Sequence, residues 1–256
     1  MPGQQTAGER LDRRLVALGL VESRARAARM IAEGRVTVDG RPAAKPSQTV
    51  AAGARLAVAP GVDWVSRGAL KLLHALDRFA LTPTGTALDV GASTGGFTEV
   101  LLARGATRVY ALDVGRGQLH PRLGQDPRVT AIEGVNCRAI PAGQIPAVDW
   151  IVADLSFIAL AKALPGPMAL ARPGATLVAL VKPQFEVGRA SLGKGGIVRD
   201  AAARRGALEA VAAWLAETQG WRVLGTADSP IEGGDGNREY LIAARAPAGW
   251  PGSAGA

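Results

Sequence analysis

The chain has 256 residues, 48% of them hydrophobic and 20% charged, with 33 Gly. That length holds one large domain, or an ordinary domain with a small companion, and the composition excludes collagen-like, coiled-coil and wholly disordered chains. Lys and Arg number 30 against 22 Asp and Glu, a net charge of +8 that points to a polyanionic partner, nucleic acid before a membrane surface.

The charge is uneven, because residues 1–60 hold ten Lys and Arg against five acids. Leu11, Leu15 and Leu18 recur at helical spacing behind Arg10, Arg13 and Arg14, and Gly19 closes this predicted helix. Ser23 is the expected N-cap of a second helix, with Ala27, Ala28 and Ile31 on its apolar stripe, Arg24, Arg26 and Arg29 near its start, and Gly34 at its end. Arg35–Val38 alternates like a strand, Asp39-Gly40 is a hairpin turn, and Arg55–Val58 can pair with the strand before it. Arginine at this density on two adjacent helices suits phosphate groups, and a solvated basic face is the plainer alternative. Arg10, Arg13, Arg14 and Arg24 are the candidate RNA contacts here, with Arg67 further on.

Residues 60–66, around Pro60-Gly61, read as a linker. Beyond it, strand-like runs fall at Ala87–Val90, Arg108–Asp113, Val129–Glu133, Trp150–Asp154, Thr176–Lys182, Trp221–Ala227 and Glu239–Ala244. Helical patterns cover Gly68–Phe79, Phe97–Arg104, Ile158–Ala171 and Ala201–Gln219. The alternation predicts an α/β domain with a mostly parallel seven-stranded sheet covered on both faces. The last two strands are joined by Asp228–Asn237 without a helix, so the seventh strand should run antiparallel. The resulting domains are 1–59, 67–246 and a frayed tail, 247–256.

The first of these strands runs into Asp89-Val90-Gly91-Ala92-Ser93-Thr94-Gly95-Gly96-Phe97, a glycine-rich turn opening a helix. A dinucleotide fingerprint spaces its glycines differently and lacks the leading acid. The pattern therefore favours S-adenosylmethionine, with Asp89, Gly91 to Phe97 and Asp154 around it, Asp89 reaching its amino-acid part and Asp113 its ribose diol. Ligands of an open parallel sheet gather at the carboxyl ends of its strands. Topology brings four charged groups to that edge: Asp154 and Lys182 end strands, Glu239 begins the reversed strand, and Lys71 begins the helix before the first strand. Only five residues are Lys, and Lys, unlike Arg, can shed its proton when buried. Ser156 and Phe157 are candidate substrate contacts, with core packing the plainer reading of Phe157.

At these residues the chain resembles the TlyA-type ribosomal RNA 2'-O-methyltransferases, some of them labelled haemolysins, whose catalytic domain is FtsJ/RrmJ-like. The motifs that carry it include Arg10-Leu11-Asp12, Trp64–Leu72, Asp89–Thr98, Asp154–Phe157, Lys182–Glu186, Gly193–Asp200 and Gly236–Leu241. The resemblance implies a Rossmann-like methyltransferase domain behind an RNA-binding module like that of a small-subunit ribosomal protein. It matches Lys71, Asp154, Lys182 and Glu239 to a catalytic tetrad, with Lys182 either a base for the ribose hydroxyl or its electrostatic positioner. It further implies cytidine of 16S or 23S RNA in ribosomal subunits as substrate, with no obligate protein partner.

Rival readings are a base-directed methyltransferase, disfavoured because no Pro-Pro-aromatic run follows Asp154, and a membrane-active haemolysin-like protein. No apolar run reaches about 18 residues and the first residues lack a signal peptide's apolar stretch, so a cytoplasmic location without membrane attachment is expected. Cys137 is the one cysteine, and His74 and His120 stand apart, so no metal is assigned.

Overall fold

The computed structural model describes residues 8–59, 63–188 and 192–251, with the Lys194 side chain left out. Pro60 to Val62 of the expected linker and residues 252–256 of the expected tail lie outside them. The chain divides into two units, Met1–Asp63 and Trp64–Ala256, so the boundary falls inside the expected linker.

In the first unit β1 (Glu9–Arg10) leads directly into α1 (Leu11–Ala17), followed by α2 (Arg24–Ala32), β2 (Val36–Val38), β3 (Arg41–Pro42), β4 (Thr49–Val50) and β5 (Leu56–Val58). Ser23 caps α2 as expected, its Oγ accepting from the Arg26 amide at 3.2 Å. β2 pairs antiparallel with β3 and with β5, and the β2–β3 turn holds Asp39 and Gly40 at positive φ, the conformation a two-residue hairpin demands. β1 pairs with β4. The sequence does not reveal this second pairing, because strands of two residues are too short for alternation to show. Leu11, Leu15, Ala27, Ile31, Val36 and Val50 form the small core.

The second unit runs α3 (Gly68–Arg78), β6 (Thr86–Val90), α4 (Gly96–Ala103), β7 (Arg108–Asp113), α5 (Pro121–Gly124), β8 (Val129–Glu133), β9 (Val148–Ala153), α6 (Leu160–Ala163), α7 (Pro165–Ala169), β10 (Ala171–Val181), α8 (Pro183–Glu186), α9 (Ala201–Ala213), β11 (Arg222–Asp228) and β12 (Tyr240–Arg245). Its seven strands take the order β11-β12-β10-β9-β6-β7-β8. β12 lies antiparallel to both neighbours and the other adjacent pairs are parallel, as the helix-free connection before it predicts. Alternate strand residues feed two cores. Leu88, Val90, Ile151 and Leu177 pack with Leu160, Met168 and Leu215 on one face. Ala87, Trp150, Val152 and Leu180 pack with Leu72, Leu76 and Leu101 of α3 and α4 on the other. Burial on both faces explains why the central strands read as continuous apolar runs. The chain turns outward in opposite directions from β6 and β9, which opens a crevice at their carboxyl ends.

Four expectations need correction. The helix read over 158–171 is two short helices, α6 and α7, because Pro165 and Pro167 cannot supply backbone N–H groups to a continuous helix. The strand after them begins at Ala171 rather than Thr176, with a register break against β9 between those residues. Trp250, placed in the frayed tail, packs edge-on against Trp221 at 5.4 Å and donates its indole N–H to the Met168 carbonyl at 3.1 Å. Trp64 and Val65, assigned to the linker, pack against the α3–α4 core, and the Val65 amide donates to Glu99 Oε2 at 2.7 Å.

Candidate active site

The turn after β6 is shaped by absent side chains. Gly91 has φ +83°, and a Cβ there would lie 2.6 Å from the Asp154 carbonyl oxygen, so only glycine lets these two strand ends approach. Gly95 caps α4 at φ +96°. The turn faces two adjoining cavities that share Gly91, Ser93, Asp154 and Ser156. One, about 330 Å³, is lined by Arg67, Lys71, Thr94, Phe97 and Lys182; the other, about 470 Å³, by Asp113, Asn136, Leu155 and Phe157. The Asp113 carboxylate is fixed by two backbone amides, Ser93 at 2.8 Å and Gly115 at 2.7 Å, each oxygen keeping a further acceptor site for a diol.

Asp89 is placed differently from its expected role. It is fully buried, lines neither cavity, and accepts from Thr98 Oγ1 at 2.7 Å, tying the end of β6 to α4. Its Oδ1 has no hydrogen-bond partner among the described residues. Burial pushes its pKa up to about 7, against the Thr98 hydrogen bond and with help from the Asp154 and Asp113 charges. A folded-state pKa above the unfolded one means stability present below about pH 4 and lost as pH rises towards 7. Asp89→Asn should therefore melt nearly alike at pH 5 and pH 8, where the wild type loses stability. An unchanged pH difference in thermal melting would show that Asp89 does not titrate there.

The four charged groups read from topology do meet at the edge. Lys182, the first residue after β10, lies 2.7 Å from Asp154 Oδ1 and donates to Ser156 Oγ at 2.9 Å. Lys71, one turn into α3, donates to Glu239 Oε2 at 2.5 Å, with both side chains almost fully enclosed. Burial raises the Glu239 pKa above the ordinary glutamate value while the Lys71 ammonium pulls it back. Lys71, Asp154 and Lys182 line one cavity, and Glu239 lines the next one along. Phe157, read as core, is instead 91% exposed, at φ +67°. Ser66 and Asn136 were missed as lining residues. Asn136 follows β8 at the same sheet edge, and that position was the available signal.

The candidate RNA contacts differ in their freedom. Asp12, enclosed in the small domain, accepts from Arg10 at 3.0 Å and Arg24 at 2.9 Å, and the Arg10 hydrogen bond first, then Arg24, hold its carboxyl well below the usual range despite burial. These two guanidiniums are thereby set in place with their outer faces exposed. Arg14 donates to the Ala52 carbonyl, while Arg13 is exposed. Arg67 sits on the rim of the cavity that holds Lys71.

A glycine cradle over a parallel-sheet crevice, a fixed diol-binding carboxylate and two lysines opposite define a methyltransferase that uses S-adenosylmethionine. Residues 64–246 match the family model described as FtsJ-like methyltransferase, and residues 9–56 match the S4 domain. The chain is 48% identical over 237 residues, 91% of its length and 88% of the relative, to the 16S/23S rRNA (cytidine-2'-O)-methyltransferase TlyA of Mycobacterium tuberculosis strain CDC 1551. It is 38% identical over 237 residues, 91% of its length and 98% of the relative, to Hemolysin A of Brachyspira hyodysenteriae. A solved structure from Streptococcus thermophilus, named as a hemolysin, superposes with a TM-score of 0.70 at 39% identity, covering 94% of this chain and 89% of that one. The chain belongs to the FtsJ-like methyltransferases, in the TlyA family that joins an S4 domain to the catalytic one.

Proposed function

We propose that the protein methylates the 2'-oxygen of cytidine in ribosomal RNA, acting in the cytoplasm on ribosomal subunits. The observation that carries this reading is the pair of lysine–carboxylate contacts, Lys182 with Asp154 and Lys71 with Glu239, beside the glycine turn. When bound, S-adenosylmethionine supplies a methyl group on a positively charged sulfur, and the Gly91–Phe97 turn with Asp113 is the surface that would hold it. A ribose hydroxyl is a weak nucleophile, so the protein must place it and ease the loss of its proton. Lys182 holds the 2'-oxygen, its own position set by Asp154 and Ser156. Lys71 adds a second ammonium whose field stabilises negative charge developing on that oxygen, and Glu239 keeps Lys71 in place. Exposed arginines of the S4 unit, Arg13 among them, and Arg67 on the cavity rim supply phosphate contacts.

The Hemolysin A name of one relative raises the membrane-active alternative. Among the described residues, no helix is long and apolar enough to cross a membrane. The test is methyl transfer from tritiated S-adenosylmethionine to purified ribosomal subunits, followed by alkaline hydrolysis of the RNA. A 2'-O-methyl group removes the internal nucleophile that alkali needs, so the label should appear in resistant dinucleotides that digest to 2'-O-methylcytidine. Label confined to mononucleotides would mean base methylation and end this reading.

A further inference from the structure

We infer that Asp235 reads the exocyclic amino group of the nucleobase whose ribose is methylated, making the site select cytidine over uridine; this rests on the function proposed above. A cavity of about 450 Å³ continues from the catalytic one, sharing Ser156, Lys182 and Gly234 with it. A ribose with its 2'-oxygen at Lys182 therefore has room for its base on this side. The walls suit a base: Phe157 and Phe185 lie with ring centroids 5.2 Å apart, and Gly195, Gly196 and Gly234 contribute bare backbone to the lining.

Besides Lys182, Gln184 and Glu239, the wall carries a second carboxylate, that of Asp235. Asp235 is exposed, yet its oxygens are held: Oδ1 accepts from the Asn237 amide at 3.2 Å, and Oδ2 from Asn237 Nδ2 at 2.9 Å and Gln184 Nε2 at 3.3 Å. Asn237 is only 1% exposed and is itself fixed, donating to the Gly196 carbonyl at 3.1 Å and accepting from the Val198 amide at 2.9 Å. Desolvation opposes ionisation of Asp235, but the Asn237 and Gln184 hydrogen bonds outweigh it and hold the carboxyl below its ordinary pKa. No cation pairs with it among the described side chains. A fixed anion facing a polyanionic substrate is repulsive unless it meets a donor. The cytosine N4 amino group is such a donor, whereas uracil presents an O4 acceptor at the same position.

The experiment compares ribosomal subunits carrying cytidine or uridine at the position that the wild-type enzyme methylates, mapped first on native subunits. The wild type should favour cytidine by at least about tenfold in single-turnover rate, as one charge-assisted base contact implies. Asp235→Asn, whose amide can turn a donor towards O4, should reduce that preference to less than about threefold, with S-adenosylmethionine affinity unchanged. A wild-type enzyme that methylates both subunits equally overturns the inference without needing any variant, as does an Asp235→Asn enzyme that keeps the full preference. Absence of 2'-O-methyl nucleoside from the mapping step would overturn the proposed function itself, and this inference with it.

Discussion

Replacement of Lys182 by Arg should lower methyl transfer by about a hundredfold or more while S-adenosylmethionine affinity stays near wild type. The variant keeps the positive charge and most of the reach. It loses the compact ammonium that fits between Asp154 Oδ1 and Ser156 Oγ, at 2.7 and 2.9 Å. A planar guanidinium spreads its donors over a wider fork and cannot release a proton at neutral pH, so it neither fits the point-charge position nor serves as a base. Single-turnover transfer to ribosomal subunits measures the rate, and calorimetry measures the cofactor affinity. Retention of more than about a third of the wild-type rate would assign Lys182 a structural role and move the chemistry to Lys71.

Glu239→Ala should destabilise the catalytic domain by about 3 kcal/mol or more, because it strands the Lys71 ammonium in an enclosed site. Lys71 is only 7% exposed and donates to Glu239 Oε2 at 2.5 Å. The intact pair itself adds little net stability, since burial works against the charged form of Glu239. Breaking one side is a different matter. For a unit of this size about 3 kcal/mol corresponds to a fall of roughly 6 to 12 °C in melting temperature. Pairing the change with Lys71→Met should restore most of the loss while leaving the enzyme inactive. A single variant that melts within about 3 °C of wild type would show that water reaches Lys71 and replaces the carboxylate.

The meeting of four charged groups at one sheet edge was legible because their positions follow from topology. Once the strands and the reversal of β12 are read, Asp154, Lys182, Glu239 and Lys71 have one edge to go to. The strands themselves were legible because burial on both faces leaves unbroken apolar runs such as Trp150–Ala153 and Leu177–Val181. The failures have equally local causes. Leu160, Leu164 and Met168 keep a four-residue spacing across Pro165 and Pro167, so the periodicity persists where the backbone breaks. The leading acid of the glycine turn was recognised, but nothing in its neighbours announces that Thr98, two residues into α4 beyond Gly96, will take its carboxylate into the interior. Asp12 reads as one acid among arginines until the fold encloses it. Asp235 and Asn237 sit in a connection without periodicity, and their placement comes from hydrogen bonds to Gln184, Gly196 and Val198, distant in the chain.

The strand that carries Glu239 to the site is also the last of the sheet to be synthesised, yet it occupies an interior position between β10 and β11. Lys71 and Glu239 are separated by 168 positions, so the ion pair closes nearly the whole length of the catalytic domain. A nascent chain that has released everything up to β11 already has the glycine turn, Asp113, Asp154 and Lys182, but it has a gap in its sheet and an unpartnered ammonium. Completing this group of charges therefore requires a long-range pairing, against which loop-closure entropy works. A chain released only as far as β11 therefore lacks one of the four charged groups that meet at this edge.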